Sequence, residues 1–446
     1  MTEHSREFVR VHGKIFTTSF FVLLALSLVG VFLIIVRFAR GIGAVSNLSD
    51  GYPWGIWIAY DVATGTAIAC GGYAIAILVY IRNRWQYHPL IRSAILTSLF
   101  GYCLAGFSVM VDVGRPWNAY GFFMPSRWQP NSAMFEVALC IMAYCVVQII
   151  EFLPSILCVL EHGKLKRLQK IFYYFRPRHT PQDEATVQVT LDWVHEAAAW
   201  FHPKFNKILI FIVVLGLVLP TMHQSSLGSL MLIVPTKLHP LWHTGYLPLL
   251  FLINCLYMGY AIVILESIIS SFILKREYEV EELSGLAHFI PWLAVTWLVI
   301  RLGDLIQRDQ VTAIFRGDFY SLFFLAEFLL IAIGSLLLCN RTLWTSPRWL
   351  FITAFLLLLG GTLYRFNVYL IGFNPGKGWH YFPSFAEIMI SVGIVSIELL
   401  GYQVLIKLLP VLPNPHMQRN IAPAKPHRPF DAARPGIKLS VKRGGA

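Results

Sequence analysis

Charge is what this 446-residue sequence has least of: Asp, Glu, Lys and Arg make up 13% of it, against 56% hydrophobic residues. A soluble domain carries about 25% charged residues, so a water-soluble enzyme or binding module is excluded and an integral membrane protein is expected. Acid is the scarcer sign, with 24 Asp and Glu against 36 Lys and Arg and a net charge of +12. That excess does not indicate nucleic acid, because the basic residues gather in loops and a tail, as membrane topology requires. The seven cysteines (70, 103, 140, 145, 158, 255 and 339) all fall in apolar stretches. They form neither CxxC nor CxxCH, which removes the spacings of zinc sites, iron–sulfur clusters and c-type haem. Also missing are a Gly-rich phosphate loop, a hydrolase motif and a pair of membrane histidines placed to hold a haem between helices. The chain is therefore expected to carry no metal, no haem and no iron–sulfur cluster of its own. Its electrons would come from a partner and meet a diffusible carrier.

Long apolar runs are what the sequence does have. Five stand in the first half, at Ile15–Val36, Ile56–Ile81, Leu90–Val111, Ala133–Leu153 and Ile208–Leu219. Five more follow at Leu247–Ile273, Ala287–Ile306, Phe319–Leu338, Trp349–Tyr369 and Ile388–Leu409. About 20 apolar residues span a bilayer core, so an all-α membrane protein of about ten helices is expected. The helix count suggests two four-helix bundles, second to fifth and sixth to ninth, with the first and last runs flanking them. The fifth run is short and needs extension back toward Phe205 or forward into Thr221-Met222-His223. Ser225–Pro240 reads as a broken or re-entrant segment, and Thr186–Phe201 as a surface helix within the long loop 161–207.

Residues 1–14 are polar and lead into the first run without a small-residue cleavage site, so a cleaved signal peptide is not expected. Twenty-six of the 36 Lys and Arg lie on the side of the N-terminus. By the positive-inside rule both termini of this multi-pass protein are then expected to be cytoplasmic. The basic, Pro-rich tail 410–446 is expected to be disordered.

Against this apolar background the ionisable residues stand out, since a charged group near the bilayer centre costs roughly 2.5–3.5 kcal/mol on insertion scales and usually faces a protein interior or wet cavity. Asp61, Asp112, Arg115 and Glu136 lie at similar depth on the outer side and are expected to meet in one pocket. Trp54 and Tyr60 beside them fit an interfacial aromatic belt or the wall of a site. Gly71 and Gly72 fit close helix packing or the floor under a flat ligand. A second polar site is PTMHQSSLGSL (220–230), where His223, Gln224 and Ser225 would stand at a helix end whose free amides and carbonyls a ligand can use. Glu151 and Glu266 lie toward the inner side, and a chain from Glu151 to Glu136 or Asp61 would carry protons. Arg301, Asp304, Glu327, Arg365 and Glu398 form a later group, read either as a structural ion network or as a proton path. Within it Arg301 and Asp304 share a helix face and suit an i,i+3 pair.

GYPWGIWIAYD, ACGGY, LFGYCLAGFSVMVDVGRPWN, PTMHQSSLGSL, HPLW, FRGDFYS and FNPGKGWHYFP together resemble the NrfD/PsrC family of quinone-interacting membrane subunits. Among its members they are most similar to the HybB type, the membrane subunit of periplasmic uptake nickel–iron hydrogenases. The resemblance spans roughly residues 41–413. It implies a haem-free subunit of the bacterial inner membrane that anchors a ferredoxin-like iron–sulfur protein on the periplasmic face, beside the hydrogenase small and large subunits. Electrons would pass through those clusters to menaquinone or ubiquinone. VDVGRP is a variant of the family's DLGRP and sets Asp112, Gly114 and Arg115 at the quinone pocket; His223 takes the place of the family's histidine in the second motif. Asp61, Asp112 or Glu136 would then supply protons, while Arg115 or His223 would hydrogen-bond a quinone carbonyl. Two alternatives remain open from the residues alone: the same membrane role beside a molybdenum oxidoreductase, or a secondary transporter.

Overall fold

Irregularity in the helices, more than their number, is what shapes the interior. The computed structural model describes residues 8–9, 11, 13–161, 181–234 and 236–413. Ten helices among them are long and apolar enough to cross a membrane: α1 (Thr18–Arg40), α2 (Trp57–Ile81), α3 (Trp85–Asp112), α4 (Ala133–Leu157), α5 (Ile208–Leu232), α6 (Leu247–Leu274), α7 (Val280–Gln307), α8 (Phe319–Cys339), α9 (Pro347–Ile371) and α10 (Phe385–Leu408). With every backbone polar group needing an internal partner in lipid, helices are the form these runs must take. Local chemistry sets their ends. Thr17 accepts the amide of Phe20 at α1, Asp318 accepts that of Ser321 at α8, and Ser384 with Glu387 makes a reciprocal capping box at α10. Lys275 closes α6 in a left-handed conformation.

The two expected bundles are present. Helices α2–α5 form one ring and α6–α9 another, each helix packing on the next and the fourth returning to the first. The rings join where α6 meets α5 and α2, and where α9 meets α2. This makes α2 and α6 the central helices, 78% and 72% buried, whereas α1 is 17% buried on the periphery. α1 packs along α10, which in turn touches α3. A Cβ on Gly30 would lie 2.7 Å from the Gly393 Cα, so the α1 and α10 backbones touch and only glycine fits.

Two expectations for the middle of the chain do not hold. Helix runs unbroken from Pro181 to Leu232, so α5 is the end of a 52-residue helix and Thr186–Phe201 is helical within it, not a separate element. His223, Gln224 and Ser225 are consequently inside a helix and not at its end; continuous backbone bonding through Thr221–Leu230 leaves no free amides there. The helix stops at Leu232, before the turn that leads to Leu238. The loop portion 162–180 and the tail from 414 onward lie outside the described residues.

The described ends at Phe8 and Pro413, the α2–α3 loop and the α6–α7 loop share one face, hereafter the basic face. There β1 (Phe8–Val9) pairs antiparallel with β2 (Leu412–Pro413). Val11 N donates to Ile406 O at 2.9 Å, Arg92 to Pro410 O at 3.2 Å, and Lys407 Nζ to Lys14 O at 2.5 Å.

Candidate functional site

α2 is not a regular helix. Its first two turns, Trp57–Thr64, and its last, Ile77–Ile81, are π-helical, with a break at Ala69-Cys70 between α-helical pieces. Such wide turns collect at functional sites, and this one carries Asp61. Thr64 Oγ1 donates to Ala59 O at 2.8 Å and Thr66 Oγ1 to Val62 O at 2.7 Å, stabilising the widened spiral. Asp61 is 5% exposed. Its Oδ2 accepts a hydrogen bond from Ser391 of α10 at 2.9 Å, while Oδ1 has no partner of good geometry although Ser108 stands beside it.

Asp61 also lines the principal cavity, about 850 Å³, between α1, α2, α3, α6 and α10. Tyr60, Asp61 and Gly65 line one end, Glu398 the middle, and Glu266 and Tyr402 the part toward the basic face, where Lys14, Lys275 and Lys407 stand at the mouth. Between these groups the walls are apolar (Ile68, Leu104, Ile262, Ile394). Ile269 and Ile273 of α6 and Leu399 of α10 line it and are also exposed, so it opens sideways to lipid between those helices. Glu266 Oε2 accepts from Thr97 Oγ1 at 2.8 Å, and its Oε1 is left without a partner.

A smaller cavity of about 140 Å³ lies inside the first ring. Glu151 borders it with Tyr73, Tyr80 and Tyr144, against Gly216 of α5. Glu151 thus belongs to a different space from Asp61, and the expected Glu151-to-Asp61 chain is replaced by Glu266 and Glu398, which share the Asp61 cavity. Three helices that are remote in sequence converge there, which no local pattern reveals.

The expected outer pocket does not assemble. Gly114 and Arg115 are exposed and line neither cavity. Asp112 is half-buried, and its charged neighbours are Arg37 of α1 and Glu387 of α10 in place of Arg115. Arg37, 2% exposed, donates to the carbonyls of Val111 and Val113 that end α3. Glu136 is half-buried in the first turn of α4 and lines neither cavity. Trp54 is drawn toward the second ring, its Nε1 donating to Tyr369 O at 3.0 Å. Gly71 and Gly72 serve packing: a Cβ would meet Val263 at 3.0 Å and Ser98 Oγ at 2.8 Å respectively, and Gly72 N already donates to that oxygen.

His223 and Gln224 are fully buried in the core of the first ring. His223 Nε2 lies 3.2 Å from Thr66 Oγ1, and Gln224 Nε2 donates to Thr66 and Tyr102 at 3.1 and 3.3 Å. Ser225 donates to Met222 O in its own helix. None of the three reaches either cavity.

In the second ring Arg301 faces Glu327 at 3.6 Å, both fully buried, and does not pair with Asp304. Asp304 instead holds Arg308 and accepts from Thr244 Oγ1 at 2.7 Å. Glu327 also accepts from Trp242 Nε1 and from Asn367 at 2.6 Å. Arg365 donates to Asn254 Oδ1 at 2.5 Å, to Ala63 O at 2.7 Å and to Phe251 O at 2.7 Å. Ala63 belongs to the widened turn of α2, so Arg365 satisfies a carbonyl two residues from Asp61. Sequence reading passed over Arg37, Ser391, Glu387, Asn254 and Tyr402. Two of them carry a readable signal: Ser384-x-x-Glu387 is a capping-box pattern, and Asn254 is an amide inside an apolar run.

Comparison with known proteins agrees with this architecture. The family model described as "Polysulphide reductase, NrfD" matches residues 44–374. The chain belongs to the NrfD family. It is 40% identical over 404 residues to the Escherichia coli (strain K12) "Probable Ni/Fe-hydrogenase 2 b-type cytochrome subunit", covering 90% of this chain and 94% of that protein. It is 25% identical to the "Menaquinone reductase, integral membrane subunit" of Nitratidesulfovibrio vulgaris, over 84% of this chain and 87% of the other. Identity to a selenate reductase subunit of Mesobacillus selenatarsenatis is 22%, over 88% of this chain and 93% of the other. The chain is thus a multi-pass NrfD-family membrane subunit of hydrogenase-associated type, from a group that serves redox complexes.

One expectation is overturned here. The Escherichia coli relative is named a b-type cytochrome, a name that implies haem, against the expected haem-free chain. The described residues do not fit a haem clamped by two histidines: His223 is the single histidine among them that is buried in a membrane helix, and Thr66 stands opposite its ring.

Proposed function

We propose that this chain is the quinone-reactive membrane subunit of a respiratory hydrogenase complex, seated in the bacterial inner membrane with its basic face toward the cytoplasm. In this reading it takes electrons from a ferredoxin-like iron–sulfur subunit, fed by the hydrogenase small and large subunits, on the opposite face. The observation that carries the reading is the Asp61 cavity. Its volume of about 850 Å³ is in the range of small-molecule sites, roughly 300–1,000 Å³. Its walls are apolar, it opens to lipid between α6 and α10, and its far end has a carboxyl group with an oxygen to spare. These are the properties a site needs to admit a lipid-soluble ring and tail and to hydrogen-bond one ring oxygen. The names of the hydrogenase and menaquinone reductase relatives point the same way.

The reaction balances as one quinone, two electrons and two protons giving one quinol. Tyr60 and Asp61 orient the ring at the closed end, and the carboxyl of Asp61 passes a proton to a ring oxygen as electrons arrive. Ser391 holds one carboxylate oxygen so that the other faces the ring. Arg365, through the Ala63 carbonyl, holds the widened turn in place. Asp112 and Arg115, exposed or half-buried at the end of α3, suit the seating of the iron–sulfur partner better than contact with the ring.

The test is hydrogen-dependent quinone reduction by the purified complex carrying Asp61→Asn. A loss of about 10²-fold, the size of one general acid's contribution, with hydrogen-dependent dye reduction intact, is the expected result. Wild-type quinone turnover would remove Asp61 from the mechanism. Copurification of a molybdopterin subunit in place of a nickel-containing one would replace the hydrogenase partner and leave the cavity reading standing.

A further inference from the structure

We infer that Glu279, in the short loop between α6 and α7, takes up protons at the basic face and hands them to Glu266 for delivery along the cavity to Asp61. This rests on the quinone-reducing reading above and names the side from which its protons come. Glu279 is 8% exposed although it lies outside the membrane-spanning helices. Its Oε2 accepts a hydrogen bond from Ser267 Oγ at 3.2 Å, and Ser267 directly follows Glu266 in α6. Tyr402 of α10 lies within electrostatic reach of both carboxyl groups. The other charged groups facing Glu279 are Arg276 and Glu282. Arg276 is itself bound to the Pro413 carbonyl where the two chain ends pair, and the hydrogen-bond partner of Glu279 is the Ser267 hydroxyl. Burial pushes the Glu279 carboxyl up to about 7, against the pull of Arg276.

The route beyond Glu266 is marked by buried polar atoms that lack good partners. Glu266 Oε1, Ser270 Oγ and Tyr402 OH lie together without closing a bond of good geometry, and Asp61 Oδ1 is free at the far end. All four residues line one cavity, with Glu398 between them. Buried polar atoms of native proteins are hydrogen-bonded to protein or ordered water, and this cavity is large enough to hold water molecules, each of which needs about 10–15 Å³ of accessible space. In the proposed route these groups, with water in the cavity, carry the proton from Glu266 past Glu398 to Asp61. On the opposite face no comparable line reaches Asp61 among the described residues, where Ser391 closes its other oxygen.

The intact complex in proteoliposomes, with hydrogen as electron source and a short-tailed quinone, tests this through proton uptake measured separately on each side. Unmodified complex is expected to take up protons from the basic-face side during quinone reduction. Glu279→Gln should slow that uptake and quinol formation together by roughly tenfold or more, with dye reduction unchanged. Its rate should also lose the decline that the unmodified complex shows as pH on that side rises through about 7. Glu279→Asp should restore most of the rate, which a merely structural role would not predict, and Ser267→Ala gives a milder version of the same defect if Glu279→Gln assembles poorly. Uptake from the opposite side, or Glu279→Gln and Ser267→Ala both equal to wild type, overturns the proposal while quinone reduction persists. Absence of quinone reduction in the unmodified complex overturns the functional reading itself.

Discussion

Asp61 in α2 and Arg365 in α9 are near neighbours, each beside a π-helical turn, yet their surroundings are opposite. Arg365 places all three guanidinium nitrogens on oxygen atoms, and Glu327 close by is held by Arg301, Trp242 and Asn367. Asp61 has one oxygen held and one without a partner, and it lines a cavity shared with Glu398 and Glu266. Buried charge is costly unless paired and hydrogen-bonded; Arg365 and Glu327 meet that cost with hydrogen bonds, whereas Arg301 faces Glu327 at 3.6 Å with no hydrogen bond of its own among the described residues. At Asp61 and Glu266 the cost is left partly unresolved too, in residues that line a cavity. Arg365 and Glu327 are thus tied down by neighbours, while Glu398 lines the same cavity as Asp61 and Glu266.

The sharpest way to break this comparison is to remove a saturated group. Arg365→Ala strands Asn254 Oδ1, at about 1–3 kcal/mol for a buried unsatisfied group, and removes the added hydrogen bonds of the helical Ala63 and Phe251 carbonyls. The expected outcome is a large drop in thermal stability of the detergent-solubilised protein and poor recovery of the complex; a melting curve like wild type would deny the network a structural role. Asp61→Asn, by contrast, should leave that melting curve close to wild type while quinone turnover falls. Equal damage to stability at both positions would erase the distinction drawn between them. At the smaller end, Gly72→Ala puts a Cβ 2.8 Å from Ser98 Oγ, and overpacking of this kind costs typically 1–3 kcal/mol, readable as a lowered melting temperature without loss of per-molecule activity. Smallest is Trp297→Phe. Its indole Nε1 is buried with no partner, so losing that N–H should change stability by under about 1 kcal/mol, a residual set by ring volume. A severe loss would mean that the nitrogen has an ordered water to lose.

Much of the architecture was legible beforehand, because a lipid-facing backbone has only one solution for runs of this length. The ten spans and their grouping into two rings with α1 and α10 outside agree with the reading of the sequence. Within the site the outcome divides. Asp61 and Tyr60 were singled out and do line the principal cavity, and Glu266 and Glu398 were named as proton carriers without the cavity that unites them. Arg115, Gly114, His223, Gln224 and Ser225 were expected at a ligand and lie elsewhere, on an exposed turn or in a closed core. The motif around His223 looked like a helix end because Pro220, two serines and Gly228 suggest a break. In a membrane, neighbouring helices and intrahelical serine bonds re-satisfy such positions, and Ser225 and Ser226 both donate to Met222 O.

From the sequence alone came the spans, their order, and the identity of the few side chains that do not belong in oil. Hydropathy determines these because the cost of placing a polar group in lipid is paid residue by residue, whatever the neighbours are. Which of those side chains face one another was decided by the tertiary structure. Arg301 meets Glu327 and not Asp304, and Asp61 shares its space with Glu266 and not Glu151. When every face of a helix is apolar, its rotation is set by packing against partners such as Gly30 on Gly393, a contact between residues 363 positions apart that no local periodicity can announce.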